Sequence, residues 1–298
     1  MERNNMATGY SSTEIGGATV PEDLAPIIID ELLAESVVLQ ARPQVFEAEG
    51  APLLIPRIDA LDTDTAWHAE NTLITEEDPI FGEVILLPTT LKSLKVLHRF
   101  SNELARNAKD GIGAVLATAL VRRIALSLDE AMLVGDGAAN TVKGIANATG
   151  VQTMAAIGLV TVNDLHDAHA LALGANAKPS AWFMHPRDFT TLRKEKGSDG
   201  QYLVTPDPTE ANRYQLLGIP VFISTQMPRN GGVGTNESRI ILADMKQVAV
   251  GRDQEINGTI LTETFAHYDQ MAIRVTARFD IAPLNPEGIV VLNGVTGA

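Results

Sequence analysis

The strongest periodic pattern in the chain is helical and runs from Ser101 to Val134. After an interruption at Gly111 and Gly113, apolar residues recur three and four positions apart, and charged residues occupy the opposite side. Gly135 follows directly, as expected of a helix end. We predict here a helix of roughly 22 residues, about 33 Å long, which is long enough to act as a spine.

Before this segment, two short strand-like runs enclose a polar stretch. The runs are 53–56 and 84–88, and each ends in proline. Between Ile58 and Leu91 lie eight acidic residues and no Lys or Arg. Ordering each residue costs about 1–2 kcal/mol of backbone entropy, and this stretch has little apolar surface to offset that cost. We therefore predict a long two-stranded hairpin that needs another surface to lie on.

The rest of the chain mixes helices and strands, which predicts an α+β fold. A polar arm rich in Asn, Ser, Thr and Gly occupies 1–19. Apolar spacing indicates the helices, and β-branched runs indicate the strands. The predicted helices are 24–36, 163–173 and 186–192, the predicted strands are 181–184, 220–224, 239–243, 247–251, 255–265, 271–282 and 288–292, and 197–212 is predicted as a loop.

Composition narrows the possible functions. The chain has 23 Lys and Arg against 37 Asp and Glu, a net charge of −14, whereas a protein that mainly holds phosphates would have the opposite sign. Because there is no cysteine, disulfides, zinc ribbons and thiol nucleophiles are excluded. The N-terminus lacks the pattern of a secretory signal, and no run approaches the roughly 20 apolar residues of a membrane span. We expect a protein made in the cytoplasm without membrane contact.

None of the candidate chemical motifs is specific. The glycine-rich turn Gly135–Asn140 follows a helix, whereas a dinucleotide fingerprint follows a strand and opens a helix. His166 and His169 lack a third metal ligand nearby in the sequence. A hydrolase that uses His185 and Asp188 remains an alternative, although no nucleophile motif accompanies them. We predict no cofactor, no metal site and no enzymatic activity.

The acidic stretch from Asp59 to Glu83 has three alternative roles. It can be a solvated face, which is the commonest meaning of a charge run. It can bind calcium, although its spacing lacks the Gly and the distant Glu of a calcium loop. It can also dock on a basic strip of another subunit, for which the candidates are Arg99, Arg122 and Arg123.

Six short stretches occur in an order that is typical of one protein family. In that order they resemble the major capsid proteins of tailed double-stranded DNA bacteriophages, which have the Hong Kong 97-like fold. The resemblance extends from Val20 to about Leu292. The stretches are Trp67-His68-Ala69-Glu70 with Ile74-Thr75 and Phe81, Phe100-Ser101-Asn102-Glu103-Leu104, Leu133-Val134-Gly135-Asp136-Gly137 with Lys143-Gly144-Ile145, Trp182-Phe183-Met184-His185-Pro186 with Leu192, Gly200-Gln201-Tyr202-Leu203, and Leu216-Leu217-Gly218-Ile219-Pro220-Val221.

The resemblance implies an α+β subunit in four parts. The hairpin would lie across a neighbouring subunit, and the loop 197–212 would lie near the five-fold and six-fold axes of a shell. The parts are a flexible N-terminal arm (1–19), a peripheral domain with the spine helix (20–52, 92–143 and 253–286), an extended hairpin loop (53–91) and an α/β axial domain (144–252 and 287–298).

By the same resemblance, the chain assembles with itself into an icosahedral virion capsid around a double-stranded DNA phage genome. The expected partners are its own copies in hexamers and pentamers, portal and scaffolding proteins, a decoration protein in some shells, and packaged DNA bound without sequence specificity. Assembly would take place in the host cytoplasm. The candidate inter-subunit contacts are Trp67, Glu70, Glu76, Glu77, Asp78, Phe81, Arg99, Arg122 and Arg123.

Two departures from the family pattern change these expectations. Some members crosslink their shells between a hairpin Lys and a late Asn, but Asn71 and His267 stand in the corresponding places here, so we expect no such crosslink. Many members carry a long N-terminal scaffolding region, yet Met1 lies just before the arm, so we expect a separate scaffolding protein or a trimmed chain. An encapsulin-type nanocompartment shell, which shares the fold, is the alternative function.

Overall fold

A computed structural model describes residues 36–48, 52–60, 70–71, 80–87, 93–103, 112–138, 141–197, 199–204, 214–232, 234–253, 257–261 and 263–297. The helices are α1 (Val37–Gln40), α2 (Ile112–Val134), α3 (Val162–Gly174) and α4 (Pro186–Lys194). The strands are β1 (Gln44–Ala48), β2 (Leu53–Ala60), β3 (Ile80–Leu86), β4 (Leu94–Ser101), β5 (Gln152–Met154), β6 (Gly158–Leu159), β7 (Ala181–Met184), β8 (Gln215–Leu216), β9 (Ile219–Ile223), β10 (Glu237–Ala243), β11 (Val248–Asp253), β12 (Asn257–Leu261), β13 (Gln270–Ala277), β14 (Phe279–Pro283) and β15 (Ile289–Thr296).

The centre of the molecule is a mixed seven-stranded sheet in the order β5–β15–β10–β7–β9–β8, with β6 also paired to β15. Side chains alternate between its two faces. Trp182 and Leu242 belong to a core cluster shared with Leu165 of α3 and Leu192 of α4. The intervening residues, such as Phe183, belong to a second cluster built around α2. Both faces of the central strands are therefore buried, as their continuously apolar sequences require.

Helix α2 is the predicted spine, and it packs against more than the central sheet. Its residues Val121, Leu128 and Met132 share one cluster with Phe183 of β7 and Val275 of β13. Two further three-stranded sheets, β12–β13–β4 and β1–β11–β14, also contribute to that cluster. The predicted peripheral and axial segments consequently share one core. Strand β11, which the prediction assigned largely to the axial segment, pairs with β1 and β14.

A glycine-rich turn after α2 fixes the end of the helix. A Cβ atom on Gly144 would lie 2.7 Å from backbone atoms of Leu133, Val134 and Gly135, so only glycine allows this approach. The side-chain amide of Asn147 donates to the carbonyl oxygens of Val134 and Gly135, both at 2.9 Å. These contacts satisfy carbonyl groups that a helix end leaves without partners.

The cap on α2 is in turn held by the central sheet. Arg239 of β10 donates from Nη1 to Asn147 Oδ1 at 3.0 Å. The register of β10 with β15 shifts at this residue, so that Asn293 and Gly294 lie opposite Arg239 alone. Gly294 has a positive φ of 72°, as in a glycine bulge. A bulge increases the local twist, and here it lies where the Arg239 side chain leaves the sheet for the end of α2.

Several predicted elements are confirmed and others are corrected. The strand 181–184 has the predicted bounds, and α3 and α4 lie within two residues of theirs. Ser101 ends strand β4, so it does not open the spine, and the run 271–282 is two strands, β13 and β14. Strands β1, β4, β5, β6 and β8 were not predicted, and all of them except β4 have five residues or fewer.

The predicted helix 24–36 lies outside the described residues except for Ser36, which caps α1. No helix among the described residues is long and apolar enough to cross a membrane.

We predict that Gly144→Ala lowers the free energy of unfolding by about 3 kcal/mol, because the added methyl group must displace the backbone of the α2 terminus. Gly174→Ala is the matched control, since a Cβ at Gly174 meets no atom within 4 Å. The control should change the stability by less than about 1 kcal/mol. Chemical denaturation of the unassembled subunit measures both values, and equal losses would contradict the proposed role of Gly144.

Candidate functional site

The base of the hairpin, formed by the paired strands β2 and β3, packs against its own chain. Strands β2 and β3 pair in antiparallel register, with Leu53 opposite Leu86. Leu86 is fully buried and packs in a cluster with Phe46 of β1 and Ala249 of β11. The backbone N–H of Leu87 donates to Asp280 Oδ2 at 2.9 Å. The hairpin base therefore covers the outer face of the β1–β11–β14 sheet.

This finding corrects part of the prediction. The prediction placed the whole hairpin, 53–91, across a neighbouring subunit, whereas one face of its base packs on its own chain. The opposite face of the base is nevertheless exposed, because Leu54 and Ile85 are cross-strand partners with 56% and 53% of their surface accessible. Residues 61–69 and 72–79, which contain most of the acidic positions, lie outside the described residues.

A cationic surface lies on the β12–β13–β4 sheet. Leu94 and Val96 pack toward the α2 core, so Lys95, Leu97 and Arg99 alternate onto the other side of β4. Antiparallel register places Arg274 of β13 opposite Leu97. We call this the cationic sheet face, defined by Lys95, Leu97, Arg99 and Arg274. Strands β4 and β13 contain no acidic residue, and Leu97 is 49% exposed at the centre of the face.

The candidate arginines do not form one strip. Arg99 lies on the cationic sheet face, where its guanidinium carbon is 5.2 Å from the centre of the Phe265 ring. Arg122 and Arg123 lie on the exposed side of α2. Because α2 packs against the other face of the sheet, these two arginines and Arg99 point away from opposite sides of a helix–sheet pair. They offer two separate surfaces.

The structure describes few of the other candidate contact residues. Glu70 lies in an exposed turn with Asn71. Phe81 occupies a position in β3 opposite Ile58, and only its backbone is described. The remaining candidates lie outside the described residues, and they are Trp67, Glu76, Glu77 and Asp78.

The alternative hydrolase site is built as a structural network. His185 Nδ1 accepts a hydrogen bond from the Arg187 backbone N–H at 3.1 Å and thereby caps α4. Asp188 is buried and accepts from Ser238 Oγ at 2.6 Å and from Arg187 Nε at 3.2 Å. Burial lowers the pKa of His185, and the Asp188 charge acts in the opposite direction. Ser238 thus bonds directly to Asp188, without the intervening histidine that would activate a nucleophile.

The two histidines weighed as metal ligands lie on α3, where His166 is exposed and His169 is half-buried. Across the part of the chain that the structure describes, no group of three His, Asp or Glu residues could hold a metal ion.

Sequence reasoning missed Lys95 and Arg274 as partners of Arg99, and it missed the pair Asn147 and Arg239 at the end of α2. Strand alternation could have placed Lys95 beside Arg99, once β4 was recognised as a strand. The position of Arg274 depends on the register of two strands about 175 residues apart in the chain, which no local signal specifies.

Comparison with known proteins gives a family match over most of the chain. Residues 16–294 match the sequence profile of the phage capsid family. The major capsid protein of Klebsiella oxytoca phage phiKO2 is 24% identical over 302 residues, which cover 94% of this chain and 68% of that protein.

Two solved structures illustrate the similarity of fold. The capsid of a native GTA particle has a TM-score of 0.69 and 18% identity, covering 87% of this chain and 90% of that one. The encapsulin SrpI of Synechococcus elongatus PCC 7942 has a TM-score of 0.63 and 13% identity, covering 87% of this chain and 88% of that one.

The two faces of the hairpin base should respond differently to truncation. Leu86→Ala removes a fully buried side chain and should lower the free energy of unfolding by about 2–4 kcal/mol. Ile85→Ala, the adjacent residue on the exposed face, should cost less than about 1 kcal/mol in the unassembled subunit. Denaturant unfolding of the two variants checks this difference, and an equal loss would show that the base is not held by its own chain.

Proposed function

The chain belongs to the phage capsid family, and we propose that its acidic hairpin and cationic sheet face are the complementary surfaces that join its copies into a shell. It is a structural subunit of a phage capsid and has the Hong Kong 97-like fold. The single observation that carries the proposal is the opposite charge of two parts of one chain, since residues 59–83 contain eight acidic residues and no Lys or Arg, whereas the cationic sheet face contains three cations.

The charges are distributed in a way that favours contact between copies. The stretch 59–83 carries eight acidic residues and no Lys or Arg, while the cationic sheet face carries three cations and no acid from its strands. Opposite charges steer two surfaces together and fix their register, and like charges exclude wrong pairings. Because the acidic stretch and the cationic sheet face are different surfaces, the contact is head-to-tail, and such contacts repeat around an axis until they close a ring.

The proposed contact has an acidic and a basic side. The basic side is the cationic sheet face, where Lys95, Arg99 and Arg274 contact the acidic hairpin of another copy. The exposed pair Leu54 and Ile85 on the hairpin base extends the same contact. Arg122 and Arg123 contribute a second contact from the exposed side of α2. The ribbon side is formed by Trp67, Glu70, Glu76, Glu77, Asp78 and Phe81.

We assign the ring contacts of hexamers and pentamers to the axial segment, 144–252 with 287–298. Its loop at 197–204 exposes Tyr202 and Leu203, and Lys196 Nζ lies 4.9 Å from the centre of the Tyr202 ring. Exposed aromatic and aliphatic side chains of this kind are typical of interface positions. We divide the rest of the subunit into an arm and a peripheral domain. The arm is 1–19, and the peripheral domain is 20–52, 92–143 and 253–286.

Among the remaining proposals, the net charge of −14 supports those on solubility and DNA contact, and membership of the phage capsid family supports the others. An acidic subunit stays soluble at high concentration and does not adhere to the nucleic acid that it encloses. We propose that the shell assembles in the host cytoplasm, holds double-stranded DNA without sequence-specific contacts, and meets portal, scaffolding and decoration proteins. The subunit has no catalytic task in this scheme.

A second candidate function is an encapsulin-type compartment, which the likeness to the SrpI encapsulin favours. The contents of purified particles distinguish the two functions. Nuclease-protected DNA supports the phage capsid, and a packaged protein supports the compartment.

Removing residues 62–78 and joining β2 to β3 with a short Gly-Ser turn should give a subunit that folds but forms no closed shells. The hairpin base keeps its contacts, so the thermal midpoint should change by only a few degrees. A same-length control replaces the acidic residues of 62–78 with Gln and Asn, which separates the loss of charge from the loss of length. Electron microscopy and size-exclusion chromatography report assembly, and closed shells from the deletion variant would rule out the hairpin role.

Reversing charge on the cationic sheet face should block assembly, and a second charge reversal on the acidic hairpin should partly restore it. The double variant Lys95→Glu and Arg274→Glu should lower shell yield at least ten-fold, because like charges across an interface are repulsive. Adding Glu76→Lys and Glu77→Lys to the same chain should restore part of the yield. Lys178→Glu is the control, since it reverses an exposed charge outside this face. Unchanged yield in the double variant, measured by light scattering at low and high salt, would contradict the proposed pairing.

A further inference from the structure

A buried carboxylate on the spine helix makes an unusual set of contacts. Asp129 of α2 is only 1% exposed and lies beside the apolar core of that helix. Its Oδ1 accepts hydrogen bonds from Ser36 Oγ at 2.6 Å and from the Val38 N–H at 3.2 Å. Its Oδ2 accepts from the Val37 N–H at 3.0 Å. These donors come from three consecutive residues that lie more than ninety positions earlier in the chain.

Burying the charged carboxyl group of Asp129 costs stability, and an aliphatic side chain at this position would not have that cost. Burial raises the pKa of its carboxyl group, and the hydrogen bonds from Ser36, Val37 and Val38 act in the opposite direction. A carboxylate offers two acceptor oxygens and no donor, which suits a site where every facing group is a donor. An aliphatic side chain would avoid the cost of burying a charge but would leave two backbone N–H groups and a hydroxyl without acceptors.

The short helix α1, whose start Asp129 contacts, would not be stable by itself. Helix α1 has only four residues, and an isolated helix of that length does not form in water. Ser36 also accepts from the Leu39 N–H at 3.4 Å, which caps the same turn from within. Val38 and Leu39 are buried in the α2 core, so the carboxylate and the apolar contacts fix this turn together. Thirty-five residues precede Ser36 in the chain.

We propose that Asp129 is a positioning residue for assembly, which fixes Ser36 and the turn Val37–Gln40 on the spine helix and thereby the point to which residues 1–35 are attached. The position of this attachment point limits which surfaces of neighbouring copies residues 1–35 could reach. The local part of this proposal, the anchoring of Ser36–Val38, stands on the hydrogen bonds alone. Its consequence for the shell rests on the proposed function.

The local part is tested on the unassembled full-length subunit by limited proteolysis with mass spectrometry. Asp129→Asn places an amide N–H₂ against the backbone donors, so cleavage within residues 1–45 should become about ten-fold faster, as expected when a buried donor loses its acceptor. Leu128→Ala is the matched control, because it destabilises the same helix and removes none of the hydrogen bonds that Asp129 accepts from Ser36, Val37 and Val38. Denaturant is added to bring the two variants to equal global stability.

Cleavage of Asp129→Asn that is no faster than that of Leu128→Ala would overturn the proposal. If Asp129→Asn does not fold, Ser36→Ala replaces it, since that variant keeps both backbone hydrogen bonds and should accelerate the same cleavages about three-fold. No acceleration in Ser36→Ala would be equally contradictory.

The consequence for the shell is read from particle yield and diameter by electron microscopy. Asp129→Asn should give at least ten-fold fewer closed shells than Leu128→Ala, or shells of altered diameter. Failure of the wild-type chain to form any shell would count against the proposed function and leave the proteolysis result valid. Normal shells from an Asp129→Asn subunit whose residues 1–45 are cleaved faster would refute the assembly role of Asp129 alone.

Discussion

The packing of α2 against one face of the central sheet is the contact on which the rest of the structure depends. Phe183 and Ile241 reach the α2 core from that face, while Trp182 and Leu242 reach the opposite core under α3 and α4. A helix that is apolar over most of its buried side can support several layers at once. Strands β4, β13, β11 and β14 therefore close around α2, and the hairpin base forms a further layer on the β1–β11–β14 sheet.

Close backbone contacts at the end of α2 give a physical reason for part of the sequence pattern. Gly135 and Gly144 allow backbone approaches that a Cβ atom would prevent, and Asn147 with Arg239 completes the helix cap from the central sheet. Requirements of this kind constrain a few positions strictly and leave most others free. They are compatible with a shared fold at 13–24% identity to known capsid and encapsulin proteins.

The surfaces of the subunit follow from the same arrangement. One face of the hairpin base is used in the subunit's own packing, and the other remains apolar and exposed at Leu54 and Ile85. The cationic sheet face belongs to a different sheet, β12–β13–β4. Under the proposed function, this face contacts the acidic residues 59–83 of another copy, and a contact between two different surfaces of this kind is head-to-tail.

The sequence by itself determined the charge distribution and several of the local elements, although not the strands β1, β4, β5, β6 and β8. The periodicity of α2, the buried strand 181–184, the acidic stretch and the glycine turn are signals within short windows, and each predicted its element because propensity and side-chain spacing act locally. The ordered motifs also gave the fold class and the family.

Only the tertiary structure decided which faces meet. Antiparallel register brought Arg274 beside Arg99, the hairpin base turned one side toward its own body, and Asp129 met Ser36 across ninety-three positions. Register and core packing are set by contacts between distant segments, whose energies depend on burial and shape across the whole fold. No local pattern carries that information. The cationic sheet face, the packing of the hairpin base and the Asp129–Ser36 contact therefore could not be predicted from the sequence.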